Sequence, residues 1–172
     1  MTRLAGEVAF GAEISEDRKR AAVVAAGRDG ETGRVLVDLA PFYDHPRGVV
    51  AKLAALCEAH DPVAVVVDPR SQAGTLIRPL AEAGVLVTQP SAADVAVAHG
   101  EFLDLVNDGG LVHLEQPPLT AAVRAAQNRP LAGAQALERR LTVDQSPLVA
   151  AELACWAFRR WEELATPGVY AF

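Results

Sequence analysis

The sequence predicts an α/β protein built on a mixed five-stranded sheet flanked by helices. Two observations carry this. Residues 7–42 read as three apolar, strand-like runs joined by short turns, which gives an antiparallel trio. From Gly48 onward, apolar residues at helical spacing alternate with short β-branched runs, which gives β–α–β–α after the trio. A purely alternating order would give a parallel, doubly wound sheet, whereas this order requires a mixed one.

The elements follow in chain order. "EVAFGAEIS" (7–15) alternates, with Val8, Phe10, Ala12 and Ile14 on one side. Its other side carries Ala9, Gly11 and Glu13, a lane of small residues ending on an acid. "AAVVAAG" (21–27) is the second strand, "RDGETG" a turn, and "RVLVDLAPF" (34–42) the third strand. "GVVAKLAALCEAH" (48–60) is a helix, and "AVVVD" (64–68) a fourth strand that Pro69 stops. "SQAGTLIRPLAEAG" (71–84) is a helix that Gly84 ends and Pro79 can kink or shorten. "VLVTQ" (85–89) is the fifth strand, and 91–107 an amphipathic helix with Ser91 or Asp94 near its start. "DGGLVHLEQPPL" (108–119) reads as a turn, a short extended piece and a Pro-rich bend before a helix over 119–128. A loop follows around "RPLAGAQALERR" (129–140), then "TVDQS" and a closing helix over 147–164.

The 172 residues predict one domain, 1–172, with a sizeable core. With 51% hydrophobic residues the chain is neither disordered nor low-complexity, and no apolar run reaches the roughly 20 residues of a membrane span. The start, "MTRLAGEVAF", lacks the apolar core of a secretion signal, and Cys57 and Cys155 both fall in apolar helical patterns. The expectation is a cytoplasmic chain with reduced thiols and no membrane partner. A net charge of −6 argues against a constitutive, high-affinity nucleic-acid binder. It leaves room for an enzyme that meets DNA through a local basic patch and divalent metals. Lysine is confined to Lys19 and Lys52, so arginine supplies the positive charge, in pairs such as Arg139–Arg140 and Arg159–Arg160. Such pairs serve either as solvated faces or as phosphate contacts.

Asp68 ends a buried strand at the position where open sheets place ligand sites, although an Asp there can simply start a turn. If the first strand is central, a right-handed crossover sets the fourth parallel beside it, with Glu13 next to Asp68. Two adjacent carboxylates repel unless a cation lies between them. The third acid is Asp144. In "VDQSPL", Ser146 reads as an N-cap and Pro147 as the first helical residue, which places Asp144 just before a helix amino end. There it either stabilises that end or serves a site. Ala150, Ala151 and Ala154 form a small-residue surface suited to the Ala9–Gly11 lane, and that contact brings Asp144 towards Glu13 and Asp68. Three carboxylates around one or two Mg²⁺ or Mn²⁺ ions suit phosphodiester hydrolysis, and no zinc pattern competes. Arg70 is placed to meet a DNA phosphate or to pair with a neighbouring acid. For His113, Glu101 and Asp104, a place at the site and an ordinary structural role are both open.

The runs "VAFGAEISEDRKRAAVVAAG", "VAVVVDP" and "LTVDQSPLVAAELACWAF" resemble the nuclease domain of tailed-phage terminase large subunits. The resemblance covers about Val8 to Trp161. It implies a ribonuclease-H-like fold and a two-metal-ion endodeoxyribonuclease that cuts concatemeric phage DNA during genome packaging, in the host cytoplasm. It implies double-stranded DNA as substrate, and the terminase ATPase domain, small terminase subunit and portal protein as partners. Matched position by position, the metal-binding acids are Glu13, Asp68 and Asp144, with Mg²⁺ or Mn²⁺ as cofactor. Two departures stand out. The first acid, usually Asp, is Glu13, whose extra methylene moves the carboxylate outward. The ATPase loop G-x-x-x-x-G-K-[ST] is absent from the sequence, so no motor domain is expected in residues 1–172. The alternative is a non-catalytic ribonuclease-H-like module that docks partners or DNA, or a degenerate prophage remnant.

Overall fold

The computed structural model describes residues 3–41, 43 and 45–165. Strand β1 (Leu4–Ile14) has the two faces that its alternation predicts. Val8, Phe10, Ala12 and Ile14 enter one apolar cluster, and Ala9 enters a second. β1 begins at Leu4, earlier than residue 7, through an irregular register between Ala5 and Val8 where Gly6 takes φ 73°. β2 (Ala21–Asp29) and β3 (Val35–Leu39) complete the antiparallel trio. Phe42, at the end of the predicted third strand, lies outside the described residues.

Helix α1 (Val49–His60) then crosses to β4 (Ala64–Val66), which runs parallel to β1. The sheet order is β4-β1-β2-β3-β5, so β1 is interior and β4 is at one edge. The sheet is mixed and five-stranded, as predicted, but its fifth strand is not 85–89. That segment contributes a single parallel bridge, Val66 to Thr88, and Leu86 is 92% exposed. With Leu86 facing solvent, this run is not covered on both faces. The true β5 is Leu111–His113, the short extended piece, parallel to β3 at the opposite edge.

The predicted helix over 71–84 is divided. A 3₁₀ turn (Gln72–Leu76) leads into α2 (Ile77–Glu82). Pro79 falls in the first turn of α2, where its missing N–H costs no helical bond. Helix α3 (Ala92–Asn107) starts at a capping box in which Ser91 Oγ accepts from Asp94 N and the Asp94 carboxylate accepts from Ser91 N. Helix α4 (Pro117–Ala125) opens on the proline pair read as a bend.

The loop expected over 129–140 contains a hairpin, β6 (Asn128–Leu131) and β7 (Ala134–Leu137). Its two-residue turn is Ala132–Gly133, both at positive φ. Such turns match the strand twist but normally announce themselves as Asn-Gly. With Pro130 in one strand and no buried alternation, the sequence carries little trace of this hairpin.

Helix α5 (Ser146–Ala165) is buried from Ser146 through Phe158. It covers one sheet face together with α3 and α4, and α1 and α2 cover the other. The small-residue contact is tight: a Cβ at Gly11 would stand 2.1 Å from the Ala150 carbonyl oxygen and 2.9 Å from Ala154 N. Backbone therefore meets backbone at Gly11, and this fixes where the amino end of α5 lies. Trp156 is buried and Trp161 stacks on Phe158, so both aromatics pack rather than face a ligand. No helix among the described residues is long and apolar enough to cross a membrane.

Candidate active site at the ends of β1, β4 and the amino end of α5

The parallel register pairs Gly11 with Val66, and extending it by two residues sets Glu13 beside Asp68. Both are 2% exposed. Glu13 is fixed through Oε1, which accepts from the backbone N–H of Ile14 (2.9 Å) and of Ala73 (3.3 Å). Its Oε2 is buried without a hydrogen-bond donor. Asp68 Oδ1 accepts from the backbone N–H and the Nε of Arg70, each at 3.0 Å. Arg70 thus pairs with a neighbouring acid, one of the two roles open to it in the sequence, and it also lines an open cleft.

Sequence reasoning missed Arg139, which follows β7. Its guanidinium donates to Asp68 Oδ2 at 2.8 Å and lies 3.8 Å from Glu13 Oε2. One largely buried cation thus bridges the two acids. Its only signal in the sequence is membership of an arginine pair. Burial raises the proton affinity of Glu13, partly countered by the Arg139 charge and the Ile14 N–H. Burial also acts upward on Asp68, but the Arg70 N–H and the hydrogen bond and charge of Arg139 outweigh it and hold this carboxyl below the usual range. Arg139 stays cationic, because the charges of Glu13 and Asp68 outweigh its burial.

Asp144 lies in the segment leading into α5. The carbonyl of Gln145 accepts the first helical N–H groups, so Gln145 is the cap and Ser146 the first helical residue, one position away from the reading as N-cap. Asp144 Oδ1 accepts from Ser146 N (2.9 Å), while Oδ2 accepts from Ser146 Oγ (3.0 Å) and from the Tyr43 hydroxyl. Burial and the Asp144 partner push the Tyr43 phenol upward, which keeps it a donor. Asp144 lines a small cavity with Glu13, Arg139 and Val149. Each carboxylate retains lone pairs beyond those its donors engage.

Two open clefts meet at Arg139. One, about 360 Å³, is lined by Arg70, Arg129, Arg139 and Arg140 with Glu16 and Glu138. The other, about 490 Å³, is lined by Arg20, Arg139 and Asp144 with Ser15, Glu16 and Asp17. His113 lies on β5, at the edge opposite β4, and its Nδ1 accepts from Glu115 N. Glu101 and Asp104 lie on α3, and neither lines the clefts.

A buried pair stands behind Arg139. His99 Nδ1 lies 2.9 Å from Glu152 Oε1, and Glu152 shares a small cavity with Arg139. The Glu152 partner raises the proton affinity of His99 against its burial, and burial raises that of Glu152. A histidine whose folded pKa exceeds its unfolded value contributes stability that is complete below about pH 6.5 and lost as pH rises through the folded pKa. His99→Gln is therefore expected to lower the urea midpoint more at pH 6 than at pH 9. Equal losses at the two pH values would contradict a charged His99.

The fold matches known structures. The HK97 bacteriophage large terminase aligns with a TM-score of 0.68 at 16% identity, over 91% of this chain and 40% of that one. The chain therefore spans less than half of the HK97 protein. The large terminase nuclease of thermophilic phage G20c with bound magnesium gives 0.65 at 17% identity, over 86% and 79% of the two chains. The nuclease domain of the g2p large terminase of bacteriophage SPP1 with bound Mn gives 0.58 at 17%, over 90% and 86%. No protein-family model matches the sequence, and no curated protein matches it. The chain thus shares the ribonuclease-H-like fold of phage large-terminase nucleases.

Proposed function

We propose that this chain is a metal-dependent endonuclease that hydrolyses DNA phosphodiester bonds, the unit that cuts concatemeric phage DNA during packaging. The observation that carries this reading is the juxtaposition of the acids: the parallel register of β1 and β4 sets Glu13 beside Asp68, and Asp144 lines one cavity with Glu13. The donor set suits a hard divalent cation, because all three residues offer carboxylate oxygens. The Glu13 Oε2 atom, buried and lacking a donor, is the atom such a cation would satisfy. Among the described residues no three acidic, His or Cys side chains form a ready ligand group, and Arg139 lies between the two strand-end acids.

Glu13, Asp68 and Asp144 would hold one or two Mg²⁺ or Mn²⁺ ions, which when bound supply water activation and stabilisation of the leaving oxygen. The remaining residues orient and bind. Tyr43 and Ser146 fix Asp144, the Ile14 and Ala73 N–H groups fix Glu13, and the Arg70 N–H fixes Asp68. Arg70, Arg129 and Arg140 line the cleft beside the acids, where they would take backbone phosphates of double-stranded DNA. An ATPase domain, a small terminase subunit and a portal protein are the partners this reading proposes.

The test is plasmid cleavage by the purified chain in Mn²⁺, Mg²⁺ or EDTA. Metal-dependent nicking and linearisation are expected, and inertness of the folded protein in both metals would overturn the proposal. A second reading, a non-catalytic docking module, is favoured by one observation: the Arg139 cation already lies between the two strand-end acids. That module would bind DNA equally with and without metal and leave it intact.

A further inference from the structure

The position of Arg139 has a consequence for metal binding. Its side chain is 13% exposed, and its guanidinium hydrogen-bonds Asp68 and faces Glu13, the two acids proposed above as ligands. A guanidinium and a divalent ion cannot both occupy the space between the same two carboxylates. The arginine satisfies the pair unevenly, because Asp68 Oδ2 receives a hydrogen bond whereas Glu13 Oε2 receives none. The side chain also has somewhere to go. It lines both clefts, and in the first it stands beside Arg70, Arg129 and Arg140.

We propose that Arg139 is a resident counter-ion that competes with the divalent metal for Glu13 and Asp68, and so sets the metal affinity of the site. In the metal-free protein it holds two buried carboxylates that would otherwise repel. Metal binding then requires the Arg139–Asp68 hydrogen bond to break, and part of the binding free energy goes into that exchange. Released into the clefts, the guanidinium faces the phosphate path, where planar, bidentate donors are well matched. The inference rests on the reading of Glu13 and Asp68 as metal ligands.

The experiment is calorimetric titration of Mn²⁺ into the full chain, with melting temperatures measured in EDTA and in saturating Mn²⁺. Arg139→Ala is expected to bind Mn²⁺ about tenfold more tightly than wild type, and Arg139→Lys to fall between them. Arg139→Ala should melt below wild type in EDTA and gain more from Mn²⁺ than wild type does. Should Arg139→Ala not fold in EDTA, Arg139→Gln, which keeps donors but not the charge, carries the same expectation. Asp68→Asn separates the two levels of the account. If Asp68→Asn weakens Mn²⁺ binding while the Arg139 variants bind no tighter than wild type, the competition is wrong and the ligand assignment stands. If Asp68→Asn binds Mn²⁺ as wild type does, the ligand assignment fails and the competition fails with it.

Discussion

Asp68→Asn is expected to lower metal-dependent DNA cleavage by about a thousandfold or more, with the protein still folded. The substitution keeps the side chain's size and an oxygen for the Arg70 N–H, now 3.0 Å away, while removing the charge. A cation site built from carboxylates loses affinity and its hold on the reacting oxygens together, so the effect falls on the chemical step and not on DNA binding. Stability should fall as well, because Arg139 loses its hydrogen-bonded partner, and breaking a buried pair on one side costs about 3–5 kcal/mol. Cleavage rates under saturating Mn²⁺, read beside urea denaturation, separate the two effects. Wild-type cleavage by folded Asp68→Asn would remove Asp68 from the site.

Gly11→Val should damage the fold severely, costing more than about 3 kcal/mol. Even the first added carbon would stand 2.1 Å from the Ala150 carbonyl, and both sides of that contact are backbone. No rotamer relieves it. Either α5 lifts from the sheet or β1 bends, and both movements separate Asp144 from Glu13. Gly100→Ala is the contrast. That glycine lies inside α3 with open space around its missing Cβ, so alanine should stabilise the helix by up to about 1 kcal/mol. Thermal melts of the two variants check the opposite signs. A Gly11→Val protein as stable as wild type would mean that α5 does not rest on β1 as described.

These two residues also mark what the sequence makes legible. The small lane Ala9–Gly11, matched by the alanines of the last helix, is readable because close helix–sheet approach demands small side chains on both partners. The valine run ending on Asp68 is readable because a strand covered on both faces is continuously apolar and its end is abrupt. From these two signals follow the parallel pairing of β1 with β4 and the placement of Glu13 beside Asp68. The identity of the fifth strand is not readable. Val85, Leu86 and Val87 have strand composition, but the segment bridges the sheet only at Thr88, whereas Leu111–His113 pairs with β3 through three residues. Arg139 is less readable still. Its partners lie 71 residues and more away along the chain, and the hairpin that delivers it has a proline in one strand and an Ala-Gly turn. His99 and Glu152 are hidden for the same reason: each looks like an ordinary polar residue on an amphipathic helix until the two helices pack.

The most direct test of the central claim, that Glu13, Asp68 and Asp144 form one metal site, is a crystal structure with Mn²⁺ located by its anomalous scattering. A peak is expected at about 2.0–2.3 Å from Glu13 Oε2 and from an oxygen of Asp68, with Asp144 ligating the same ion or its neighbour and the Arg139 guanidinium moved into a cleft. Crystals grown in Mn²⁺ that supports cleavage, but showing no ion at these carboxylates and Arg139 still bridging them, would contradict it.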